Sequence, residues 1–135
     1  MIFQAIIVAQ DVRVEMSGQS TLVGFLGLSP GVTVGVPDPD MPVPQVSFLC
    51  LSGVPVEIGR YAVTLTITDP AGRTIGSPAN QVVTAKRPAQ LGIIFQFVMF
   101  PLAGVGKYGL DLVVNGNPDL KGSFTIRGGP VSAIR

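Results

Sequence analysis

Gly59-Arg60-Tyr61-Ala62-Val63-Thr64-Leu65-Thr66-Ile67-Thr68-Asp69-Pro70 decides how this chain folds, because Gly106-Lys107-Tyr108-Gly109-Leu110-Asp111-Leu112-Val113-Val114-Asn115-Gly116 repeats its pattern. Each runs glycine, a cation, tyrosine, then an apolar residue at every second position, then a turn dipeptide. Successive side chains of a strand point to opposite faces, so Tyr61, Val63, Leu65 and Ile67 share one side. Tyr108, Leu110, Leu112 and Val114 do the same, with Lys107, Asp111 and Asn115 opposite. That alternation specifies half-buried antiparallel strands and argues against helix. The segments between the twins do not match, so the pair reads as two equivalent strands of a sandwich rather than as a duplicated unit.

Working outward, Met1 to Gln10 reads as a strand continuing into Asp11-Val12-Arg13-Val14-Glu15-Met16. There Val12, Val14 and Met16 are expected on one face and the three charges on the other. Ser17-Gly18-Gln19 is a turn, and Ser20 to Gly27 returns as the second arm of a hairpin. Pro37, Pro39, Pro42 and Pro44 mark a loop or frayed edge, since proline cannot donate to a ladder. Val46 to Ser52 is a strand, Asp69-Pro70-Ala71-Gly72 a turn, and Arg73-Thr74-Ile75 and Gln81 to Ala85 are short strands. Leu91 to Phe100, apolar on both faces, reads as a central strand, or as one whose outer face meets a partner; Phe95, Phe97 and Met99 share one side. Leu120 to Ile126 is the last strand.

Eight to ten short strands without a sustained helical period predict an all-β fold: an immunoglobulin-like antiparallel β-sandwich, with a jelly-roll-like barrel as the alternative. Burying one face of a single sheet does not offset the backbone entropy lost in ordering it, whereas two sheets sharing a core can. Residues 1–127 are expected to form one domain and 128–135 a flexible C-terminal tail.

The 135 residues are 47% apolar and only 13% charged, against roughly 25% charged in ordinary soluble domains. So sparse a charge either leaves a neutral exterior or calls for a second protein surface, and the second motivates self-association. The nine cations, with a net charge of +1, are scattered rather than aligned for phosphates, which argues against nucleic acid. No run reaches the roughly 20 apolar residues of a membrane helix, and the amino terminus lacks the basic leader of a signal peptide. A cytoplasmic protein is expected.

Histidine is absent, which removes the usual base of Ser-His and Cys-His catalysis and the commonest transition-metal ligand. Gly104-Val105-Gly106-Lys107-Tyr108-Gly109 has the letters of a dinucleotide fingerprint, but the residues after it alternate as a strand instead of opening a helix. A P-loop reading fails too, with Pro101 at its first glycine position and Tyr108 at its Ser/Thr position. Asp38 and Asp40 could serve a calcium site, yet two carboxylates fall short of one, and a solvated Pro/Asp loop is the plainer reading. Cys50, the sole cysteine, lies in an apolar run and reads as a buried hydrophobe, not a reactive thiol. No catalytic, cofactor-binding or metal-ligating residue is nominated.

Gln10-Asp11-Val12-Arg13-Val14-Glu15-Met16-Ser17-Gly18-Gln19-Ser20-Thr21-Leu22-Val23-Gly24, with the later Gly-x-Tyr strands, resembles an uncharacterised bacterial β-sandwich family, a domain of unknown function. The resemblance implies a small intracellular sandwich and supplies no site residues. Asp11, Arg13 and Glu15, the matching polar positions, read as an exposed charged ladder of little energetic weight. The expectation is a non-catalytic interaction or assembly module, self-associating or bound to a protein partner, with a small-ligand or carbohydrate-binding sandwich as the alternative. Its contact surfaces would be the Pro37–Pro44 loop and the outer face of Ile94 to Val98.

Overall fold

The computed structural model describes residues 1–14, 16 and 20–128. They hold nine strands and no helix: β1 (Ala5–Val14), β2 (Ser20–Leu28), β3 (Val32–Val36), β4 (Val43–Val56), β5 (Gly59–Thr68), β6 (Ala79–Ala85), β7 (Ala89–Phe100), β8 (Gly106–Val114) and β9 (Asn117–Gly128). A four-stranded sheet has the order β2-β1-β4-β7, and a five-stranded sheet the order β3-β9-β8-β5-β6. All pairs are antiparallel except β3 with β9.

The twin strands are direct neighbours. β5 and β8 run antiparallel at the centre of the five-stranded sheet, with Val63 opposite Val114 and Ile67 opposite Leu110. Their alternation places Tyr61, Val63, Leu65, Ile67, Tyr108, Leu110, Leu112 and Val114 in the core. Facing them, the other sheet contributes Ile6, Val8, Phe48, Cys50, Ile93 and Phe95. Phe48, Phe97, Phe100 and Phe124 form a cluster of tilted and edge-to-face rings, and Tyr108 stacks on Phe124 at 5.2 Å. Such contacts add to the area buried.

The four-stranded sheet is apolar on its outer side as well. Ala9 and Leu49 are buried there against Ile7, Leu51 and Ile94. Asp11 and Gln96 reach across this face to a 2.6 Å hydrogen bond.

Several expectations are corrected. Among the described residues β7 pairs only with β4, so it is an edge strand, not a central one. Its alternation breaks at Met99, whose φ of 54° reverses the phase. Phe100 therefore points into the core, and Met99 is left 57% exposed. Val32–Val36 is a strand that the prolines after it concealed, and β4 is longer at both ends than Val46 to Ser52. Arg73-Thr74-Ile75 forms no strand, only a bridge from Thr74 to Thr68. Met16 is exposed rather than in phase with a buried face. Glu15, the Ser17-Gly18-Gln19 turn and residues 129–135 lie outside the described residues, as does the side chain of Val14; β9 itself runs to Gly128.

Candidate functional site: a cleft where two strands part

β1 and β4 pair from Ala5–Leu51 to Ala9–Ser47 and no further. Beyond that point β1 continues alongside β2 to Val14, while β4 continues towards Val43 beside β7. The gap exposes the sandwich interior. It is bounded by β3 and the loop after it, and its floor is built from Phe100, Phe124, Ile126 and Val46. The resulting cleft has a volume of about 850 Å³ and mostly aliphatic and aromatic walls. Among the described residues its polar lining consists of Gln10, Thr33, Asp38 and Gln45, of which only Asp38 is ionisable.

The proline-rich loop frames the mouth. Asp38 Oδ1 accepts from the Asp40 N–H at 3.0 Å, its carbonyl accepts from Met41 N–H at 3.1 Å, and Gly104 N–H donates to the Pro39 carbonyl at 3.2 Å. The Asp38 carboxylate thus braces the loop's own backbone. No three Cys, Asp or Glu side chains gather as a metal-holding group among the described residues.

Pro44 lies inside β4, opposite Met99. A proline there has no N–H for its neighbour, and it is at this point that β7 adopts its left-handed residue. Val98, 75% exposed and outward by the ordinary alternation, is joined there by Met99, which the distortion turns outward too. Met41, 58% exposed, lines the cleft itself. The two surfaces singled out separately in the sequence, the proline loop and the far end of the Ile94–Val98 strand, therefore meet at one place. Sequence reasoning missed the cleft, because the parting of β1 from β4 leaves no local signature.

The other candidate residues sit apart from it. Cys50 is fully buried, and desolvation pushes its thiol up to about 12 from 9.0. A thiol so placed is not a nucleophile at neutral pH. Gly104 to Gly109 leads into β8, a strand, and offers no helix N-terminus to a pyrophosphate. Asp11 and Arg13 form a 3.5 Å ion pair with Arg13 well exposed, a contact of marginal energy. Among the described residues, no helix is long and apolar enough to cross a membrane. No protein-family model matches the chain, and no curated protein does.

Proposed function

We propose that this chain is a non-catalytic interaction module on an immunoglobulin-like sandwich, self-associating or binding a protein partner through the cleft and the patch beside it. The strand order supports the immunoglobulin-like assignment: β4 and β7 pair in one sheet, and β6, β5, β8 and β9 lie in sequence in the other. The parallel β3–β9 pair is foreign to a jelly roll of antiparallel strands. Tyr108 adds support. It stands near the start of its strand, after the crossover between sheets, and its hydroxyl turns back to the Gly104 carbonyl at 2.7 Å, as at the tyrosine corner of such sandwiches.

One observation carries the functional reading: an apolar cleft lined by exposed Met41, with exposed Val98 paired to its Gln45, on a chain that is only 13% charged. Contiguous exposed apolar surface marks contact sites on soluble domains. Sedimentation of the wild type should give a mass above one chain at high micromolar concentration. Val98→Lys with Met41→Lys should return it to one chain without lowering the melting temperature. The volume of the cleft also falls in the range of small-molecule sites, roughly 300–1,000 Å³. A strictly monomeric protein that carries a bound small molecule in native mass spectrometry would replace the interaction reading with that second one.

A further inference from the structure

Alternation along a strand governs the backbone as well as the side chains. Each residue turns its N–H and C=O to one neighbouring strand, and the next residue turns its pair to the other. Gln4 N–H donates to the Leu51 carbonyl at 2.9 Å, so the odd residues of β4 from Ser47 to Leu51 face β1 and the even ones face β7. The β4–β7 register is unbroken from Gln45 to Leu51. Val46–Phe97, Phe48–Phe95 and Cys50–Ile93 are therefore the bonded pairs, and Ile94 and Gln96 turn their main-chain groups away from β4. A bond on the far side agrees: the Ile94 carbonyl accepts from Gln81 Nε2 of β6, in the other sheet, at 2.5 Å. Among the described residues no strand pairs with that side of β7.

Natural sheets guard such edges with charges, prolines, bulges or short strands. The other edges here have a guard. β3 is five residues long, β2 carries glycines at φ 62° and 152°, and β6 is seven residues long and runs into Lys86-Arg87. β7 has twelve residues with no proline and no charge, and its backbone is regular up to Met99. Its outer face is apolar at Ile94 and at the exposed Val98. Gln96, between them, is drawn back across β4 to Asp11 of β1 and leaves the edge clear.

We propose that a second copy of this chain occupies this edge. β7 of each copy pairs antiparallel with β7 of the other about a two-fold axis at Gln96, joining two four-stranded sheets into one continuous sheet. Ile94 of each copy then lies opposite Val98 of the other. Self-pairing about such an axis sets a strand against its own residues, which a charged strand would resist by repulsion. Here the opposed pairs are apolar or, at Gln96, neutral amides, so the edge is complementary to itself. Gln81 sets the strength of the contact, because the Ile94 carbonyl it holds is the acceptor that the Val98 N–H of the other copy needs. The inference rests on the self-associating half of the interaction reading and adds its mode.

Amide hydrogen exchange and sedimentation of the full chain, over a range of concentrations, test it. The Ile94 and Gln96 amides should exchange fast at low micromolar concentration and slow by about tenfold or more as the mass rises towards two chains. The Phe95 and Phe97 amides, already bonded to β4, should change little. Gln81→Ala frees the Ile94 carbonyl and should tighten the association several-fold. Gln96→Pro removes an N–H that the β4–β7 ladder does not use, a position where an edge strand tolerates proline, and should return the protein to one chain. If that variant does not fold, wild-type exchange and Gln81→Ala decide. A mass above one chain with unchanged exchange at Ile94 and Gln96 overturns the pairing and leaves the interaction reading standing. Equal or weaker association of Gln81→Ala also overturns it. A mass of one chain at every concentration overturns it as well, and removes self-association from the proposed function.

Discussion

The hydroxyl of Tyr108 is held twice, donating to the Gly104 carbonyl at 2.7 Å and accepting from the Ala103 N–H at 2.8 Å. Tyr61 copies half of this, donating to the Glu57 carbonyl at 2.6 Å, again four residues upstream. Both rings are in the core, as their phase in the sequence requires, but their surroundings differ: Glu57 is exposed and its carbonyl can turn to water. Tyr108→Phe should therefore cost about 1–3 kcal/mol in urea denaturation and Tyr61→Phe about 0.5–1.5 kcal/mol. Burial, joined by the charges of Asp69 and Asp40, raises the Tyr108 phenol above its ordinary 10.0, although the Ala103 N–H pulls the other way. The folded state then holds this proton more tightly than the unfolded chain. The associated stability is complete below pH 10 and is lost as pH climbs through the raised value. Tyr108→Phe should flatten the alkaline fall of the melting temperature and leave the share that belongs to Cys50.

At the scale of elements, the twin strands look interchangeable in sequence and are not. Gly59 has an ordinary backbone, and a Cβ placed on it meets nothing within 4 Å. Gly106 has a φ of +132°, where side chains are rarely tolerated, and its Cβ would come 2.9 Å from Pro70 Cγ. Gly59→Ala should be neutral or stabilise by about 0.5 kcal/mol, while Gly106→Ala should destabilise by about 1–3 kcal/mol; equal effects in thermal melts would refute the distinction. The alternation of β5 and β8 was legible because each strand buries one face against the same core. β7 was less so. Both of its faces are apolar, which suits a central strand, yet on the outer one only Ile94 packs, against the sheet's own Leu49 and Leu51, and Val98 stays exposed. The reversal at Met99 lies opposite Pro44, 55 residues earlier, and no local pattern announces it. β3 was hidden for a related reason, since its partner β9 lies far along the chain and pairs in parallel.

At the scale of the whole molecule, Cys50 is a reporter of opening. It lies at the centre of the four-stranded sheet with no exposure, and its thiol is pushed up to about 12. A disulfide reagent at pH 8 should reach it only when the sandwich opens. Labelling should then be slower than in the unfolded chain by about a thousand-fold or more, and urea should accelerate it in step with global unfolding. Fast labelling in native buffer would mean that β4 and β7 separate locally, which the shared core argues against.

By itself the sequence determined that the chain is all-β, that the twin tyrosines belong to the core, and that histidine-based chemistry is ruled out. These follow from properties each residue carries with it: period, turn chemistry and side-chain type. Tertiary structure alone decided the pairing of the twins, the edge position of β7 and the cleft. All three depend on which strand lies beside which, and on how long they stay together. β1 and β4 pair through Ala9–Ser47 and then part. The twin strands that announce the fold lie in the opposite sheet, and the opening where a partner could bind is created by two strands that separate.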